Sequence, residues 1–174
     1  PTMTKVQFGK LILKLSAKND PQFKVDGREV YALVYGIIND VVKALRQANE
    51  PIPISFYSVY TITIQEEGFD LKLADLGKLA IHSAFGEDDF IVLGSEAEVR
   101  TYSVIDAPII WYSEGKVKTA NTDEEEITAL VIPDIMEIDD EDEMIGTEFQ
   151  ELLIEKIFKK LAIKLQLTED KYND

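Results

Sequence analysis

Cysteine is absent from the 174-residue chain, which excludes disulfides, cysteine nucleophiles and thiolate metal sites together. Histidine occurs once, as His82, so no multi-histidine metal site can assemble. Basic side chains are scarce: 18 Lys and Arg face 33 Asp and Glu, for a formal net charge of -15. That balance argues against a general DNA or anionic-membrane binder, whose affinity comes mainly from neutralising phosphates. No apolar run reaches the ~18 residues of a spanning helix, and no signal-peptide pattern opens the chain. The expectation is a soluble protein made in a cytoplasm. The nine glycines are scattered singly, without a Walker A or dinucleotide fingerprint. What the chain does have is 45% hydrophobic residues, enough to bury the core of a single domain over residues 1–174.

The acid is unevenly spread. Residues 1–50 carry 8 basic and 5 acidic side chains, 51–148 carry 5 and 23, and 149–174 carry 5 and 5. The middle of the chain therefore holds all of the excess negative charge.

Residues 1–50 read as a helical hairpin. Thr4 and Gln7 match a capping box, and Phe8, Leu11, Ile12 and Leu15 follow as one apolar stripe. Asn19-Asp20-Pro21 stops this helix. Asp26 and Glu29 open a second, and Val30, Leu33, Val34, Ile37, Val41 and Leu45 give it a broad apolar face ending near Glu50-Pro51.

Period two then takes over, and residues 51–132 read as β-rich. Ile54 to Ile64 is expected to be one long strand, with Ile54, Phe56, Tyr60, Ile62 and Ile64 on one face. Tyr57, Val59, Thr61 and Thr63 form the reverse. Residues 69–84 fit neither helix nor strand period. Phe90 to Leu93 reads as a short buried strand, and Arg100 to Val104 as a candidate strand. Ile109 to Ser113, Glu114-Gly115 and Lys116 to Thr119 read as a β-hairpin, and Ile127 to Ile132 as the last strand. Residues 133–146 form a long acidic loop. Thr147 and Gln150 open a C-terminal helix over 147–174, with Phe149, Leu152, Leu153, Ile157, Leu161 and Leu165 as its stripe. The fold class is α+β.

Little in this pattern carries chemistry. The acidic run Asp134, Glu137, Asp139, Asp140, Glu141, Asp142 and Glu143 lacks the alternating ligands and the glycine of a calcium loop, and reads as a solvated loop. Adjacent acids on a wet loop also stay ionised, unlike the desolvated pair of a glycosidase. A hydrolase using this cluster would lose activity on Asp139→Asn or Asp142→Asn. His82 has Ser83 beside it, but no G-x-S-x-G elbow surrounds any serine. Lys156, Lys159, Lys160 and Lys164 form one compact basic face, supported by Glu155 at i,i+4 from Lys159. The chain is expected to need no cofactor and no metal, and to be no enzyme.

One resemblance runs along most of the chain. The helix over Val30 to Leu45 is followed by a β-rich middle and the hairpin Ile110-Trp-Tyr-Ser-Glu-Gly-Lys-Val-Lys118. Then come the proline- and acid-containing segment Ile132-Pro-Asp-Ile-Met-Glu-Ile-Asp-Asp140 and a closing helix from Phe149 to Leu165. This order resembles the head-to-tail connector proteins of tailed bacteriophages, the adaptor or ring proteins beneath the portal. The resemblance implies a virion protein at the head–tail junction, synthesised in the host cytoplasm. It implies a homo-oligomeric ring of about twelve subunits, bound to the portal protein and to other tail or connector proteins, with no membrane contact. Genomic DNA would pass through without specific binding, past a lining whose acidity lowers friction. Phe158, Leu161, Leu165 and Tyr172 are then candidates for docking on the portal or a neighbouring subunit. Asp123, Glu124, Glu125, Glu126, Asp139, Asp140, Glu141, Asp142 and Glu143 are candidates for the acidic channel or a partner-facing surface. The alternative from the charge layout is an acidic DNA mimic that inhibits a host DNA-processing protein.

Overall fold

A computed structural model gives the fold and describes residues 4–19, 27–88, 90–142 and 150–160. These belong to two compact units, Pro1–Pro51 with Asp139–Asp174, and Ile52–Ile138. Both helix and sheet are present, so the class is α+β.

The first unit is helical. α1 (Lys5–Asn19) begins at the expected capping box. The Thr4 N–H donates to Gln7 Oε1 at 3.0 Å and the Gln7 N–H to Thr4 Oγ1 at 3.3 Å. α2 (Gly27–Gln47) stops three residues earlier than its Glu50 limit. Asn49 adopts φ 56°, and the Glu50 N–H returns to Leu45 O at 2.9 Å. This is a left-handed C-terminal cap, a conformation asparagine tolerates well. α1 and α2 pack closely: a Cβ on Gly9 would lie 2.6 Å from the Tyr31 hydroxyl, which donates to Lys5 O at 3.1 Å. A further helix, α4, covers 150–160 and buries Leu153 and Ile157. The expected starts at Asp26 and Thr147 lie outside the described residues.

The second unit is a seven-stranded sheet. Its strands are β1 (Ser58–Thr63), β2 (Phe69–Asp70), β3 (Ile81–Phe85), β4 (Phe90–Leu93), β5 (Ile109–Ser113), β6 (Lys116–Ala120) and β7 (Glu126–Val131). Their order is β1-β7-β3-β4-β5-β6-β2. All neighbours are antiparallel except β4 and β5, which run parallel. A parallel pair needs a long crossover, and α3 (Val99–Val104) supplies it. The segment expected as a strand at Arg100 to Val104 is therefore helix. Ser95-x-x-Glu98, a start spacing of the capping-box kind, precedes it, and the Ser95 hydroxyl donates to Glu98 Oε1 at 2.8 Å. The β5–β6 hairpin is as expected: Glu114 and Gly115 have φ 55° and 76°, the geometry of a tight primed turn.

The sheet curls until it nearly closes. Leu73, just beyond β2, bridges to Pro133, just beyond β7. The Ala74 N–H donates to Ile132 O at 2.9 Å and the Asp134 N–H to Lys72 O at 2.8 Å, while the Ile132 N–H donates to Ala80 O at 2.8 Å. Residues 69–84 were illegible by period because they contain β2, this closing segment, a 3-10 turn at Gly77–Ala80 and β3 in succession. The expected long strand is also shorter. Ile54–Phe56 is a 3-10 turn, so Ile54 leaves the face assigned to it and Tyr57, placed on the reverse face, is buried.

Ile62, Ile91, Ile110, Ile127 and Val131 on the inner face, and Ile132 at the seam, are all almost fully buried. Ile132→Ala leaves the closing hydrogen bonds in place but opens a cavity at the seam. It is expected to cost about 2–5 kcal/mol, read as a lowered denaturant midpoint at unchanged slope.

Candidate functional site

The acids singled out from the sequence fall in two places. Asp139, Asp140, Glu141 and Asp142 belong to the helical unit and Asp123 to Glu126 to the sheet unit. Glu143 lies outside the described residues.

The Asp139–Asp142 segment is not simply a solvated loop. Its carbonyls cap α1: the Lys5 N–H donates to Asp142 O at 2.9 Å and the Val6 N–H to Asp140 O at 3.0 Å. Helix starts carry orphan donors and partial positive charge, so an acidic, carbonyl-presenting turn suits this position. The turn also braces itself, with the Asp139 N–H donating to Asp142 Oδ2 at 3.0 Å. Burial, and then the Asp140 carboxylate, push the Tyr31 phenol up from its ordinary value.

The second cluster sits at one end of the sheet. Glu87 in the β3–β4 turn and Glu124, Glu125 and Glu126 before and at the start of β7 surround one depression of about 420 Å³. The Glu124 Oε1 accepts the Asp88 N–H at 3.1 Å, while Oε2 is buried without a hydrogen-bond partner. The carboxylate lies against Gly86, where a Cβ would overlap it.

The same end carries a group of exposed apolar side chains. Phe85 and Phe90 are directly opposed across β3 and β4, so they share a face. Phe90, expected to be buried, is 74% exposed. The pairing Val92↔Ile109, with the Val92 N–H donating to Pro108 O at 2.9 Å, brings residue 107 beside Phe90. Two and three residues before it are Ile105 and Val104, 68% and 84% exposed at the end of α3. Phe85 and Phe90 thus stand at the end where Glu87 and Glu124 to Glu126 lie, and Val104 and Ile105 end the helix that leads into the strand beside Phe90. An apolar group with an acidic border has the layout of a protein-docking surface.

The other candidates are less productive. Phe158 is half-buried on α4, whereas Leu161, Leu165 and Tyr172 lie outside the described residues. Lys159 and Lys160 pair with Glu155 at 2.9 Å and Asp40 at 3.4 Å. His82 occupies the irregularity between β3 and β7, where the register shifts from Ile81 to Ser83. Its Nδ1 lies 3.1 Å from Ser83 Oγ and its ring 5.1 Å from that of Tyr57. Among the described residues no carboxylate hydrogen-bonds to this imidazole, and no group of three or more His, Asp or Glu is placed to hold a metal. Nor is any described helix long and apolar enough to cross a membrane. On another part of the sheet a cavity of about 480 Å³ is lined by Leu73, Ile81, Leu93, Ile110, Trp111 and Tyr112. The buried Trp111 Nε1 has no acceptor, and Tyr112 Oη accepts the Leu73 N–H at 3.3 Å.

No family model, no curated protein and no solved structure matches the chain.

Sequence reasoning missed the apolar group because Phe90-Ile-Val-Leu93 looks uniformly buried. The available signal was Phe85-Gly-Glu-Asp-Asp-Phe90, two aromatics flanking a strongly acidic turn.

Two measurements probe this region. Gly86→Ala should displace the Glu124 carboxylate and release the Asp88 amide. The expected cost is about 1–2 kcal/mol, with faster hydrogen exchange at Asp88. Tyr57, beside His82, is buried and donates to Leu79 O at 2.8 Å, and burial pushes its phenol up to about 12. Since the folded value lies above the unfolded one near 10, its contribution is complete below pH 10 and is lost as pH rises through 12. The Tyr57→Phe variant should lack that component of alkaline destabilisation in denaturant titrations from pH 8 to 12.

Proposed function

We propose that the chain is a structural virion protein, a subunit of the head–tail connector ring that joins the portal to the tail and lines the DNA exit channel. The observation that carries this reading is the apolar group Phe85, Phe90, Val104 and Ile105 with its acidic border. Large apolar side chains held on a strand pair and a helix end are costly to leave in water, and a protein that assembles covers them. The order of elements that resembles the connector proteins supports the same reading. So does the net charge of -15, because a channel that DNA traverses must not grip phosphates. In the ring, about twelve copies meet head to tail through unlike surfaces. The apolar end makes one contact with the portal or a neighbouring copy, and Phe158, Leu161, Leu165 and Tyr172 contribute a second. The protein has no enzymatic activity of its own in this role.

A second reading has one observation in its favour. Glu124, Glu125 and Glu126 lead into a paired strand with Glu87 alongside, which gives a DNA mimic firmer acid spacing than a loop would. Salt-sensitive binding to a basic nuclease or repressor, without assembly on a portal, would favour that inhibitor.

The test is the native mass by light scattering, with and without purified portal. The connector reading expects a closed ring, formed alone or on adding portal. Phe90→Asp and Ile105→Asp should reduce assembly at least tenfold while keeping the wild-type thermal midpoint, since both side chains are already exposed. A chain that ignores the portal, or variants that assemble normally, would count against it.

A further inference from the structure

β1 is the terminal strand of the sheet, and among the described residues no other strand pairs with its outer side. The Ile64 N–H donates to Glu125 O at 2.8 Å, and the register runs from Thr63↔Glu126 to Ser58↔Val131. Hydrogen-bonding direction alternates along an antiparallel pair. Ser58, Tyr60 and Ile62 therefore face β7, while Val59, Thr61 and Thr63 turn their N–H and C=O groups outward. Proteins guard such an edge with charge, proline, bulges or a covering segment. Ser58–Thr63 carries no charged residue, no proline and no glycine, and Val59 is 57% exposed. Ile54, in the turn that leads into the strand, is 59% exposed.

Charge and topology together select the occupant. The whole stretch from Pro51 to Gln65 lacks a charged side chain, on a chain whose net charge is -15. It is a surface where two copies can approach without setting carboxylate against carboxylate. The opposite end of the sheet offers no second edge to receive it, because Lys72 and Ala74 are already bonded to Asp134 and Ile132. Unlike edges cannot alternate from copy to copy, so pairing through this edge has two-fold symmetry.

We infer that β1 pairs antiparallel with β1 of a second copy, joining two sheets into one across a two-fold axis. Centred on Thr61, the pairing sets Thr61 against Thr61 and Val59 against Thr63, and all three outward residues gain backbone partners. The outward residues are then paired β-branched against β-branched, with Tyr60 opposite Ile62 on the other face, a favourable combination on a pleated surface. This contact goes beyond the connector reading and does not depend on it: a two-fold pair uses one surface, whereas a ring uses two.

The full-length chain alone, without portal, provides the test. Light scattering over a micromolar concentration series should show a monomer–dimer equilibrium. Hydrogen exchange at the Val59, Thr61 and Thr63 amides should slow as the dimer forms. Thr61→Pro removes an outward donor while sparing the bonds to β7, and Thr61→Lys places like charges across the axis. Each should weaken the dimer at least tenfold; the lysine variant keeps the result interpretable if proline disturbs the strand. A monomer at every concentration, a wild-type species larger than a dimer, or a dimer that survives both substitutions would overturn the inference.

Discussion

Both sides of β7 are committed, and the rest of the sheet unit is set by what each side holds. Ile127, Ala129 and Val131 turn their backbone groups to β1, whereas Thr128 and Leu130 turn theirs to β3. Beyond the strand, Ile132 continues on the second side, taking Ala80 and Ala74 as partners, and Asp134 takes Lys72. One continuous run of backbone thus positions an edge, a centre and a seam. The side chains of Ile127, Ala129 and Val131 are buried, so a register slip of one residue would exchange core for surface along the strand. The alternation in Ile127 to Val131 is a constraint on the whole curl.

Negative charge has more than one use here. At Asp139 to Asp142 it accompanies carbonyls that satisfy the start of α1, where a negative group is favoured by the helix dipole. At Asp134 a carboxylate oxygen accepts the Met136 N–H at 3.0 Å and tightens a turn. Glu98 is held below the usual carboxylate range by the Ser95 hydroxyl and then by the Lys78 ammonium. Other acids, around Glu87 and Glu124 to Glu126, border exposed apolar side chains. Net charge alone does not separate these uses, because each depends on which backbone or side-chain group is nearby.

The elements that were legible in the sequence are those whose signals are local. The Thr4–Gln7 box, the apolar face of α2 and the Glu114-Gly115 turn depend on residues within a few positions of each other. Arg100 to Val104 misled because its alternation is compatible with a strand. The need for a crossover between parallel β4 and β5 is visible only once those strands are paired. Phe90 misled for a similar reason: composition says that phenylalanine suits a strand, but not which side of that strand is covered. Residues 69–84 change structure about every four residues, too quickly for any period to register. The candidate site was only half legible: Glu124 to Glu126 stood out as acid, whereas the apolar group beside them is assembled by pairing between distant segments.

The order of the two units along the chain has a temporal consequence. The helical unit draws on residues before and after Ile52–Ile138, so it is interrupted by the sheet unit. During synthesis at about 5–20 residues per second, α1 and α2 leave the ribosome several seconds before α4 exists. The sheet, by contrast, has every strand it needs once β7 and the Ile132–Asp134 seam have emerged. All the strands of the inserted sheet are therefore available to pair before the last helix of the helical unit has been made.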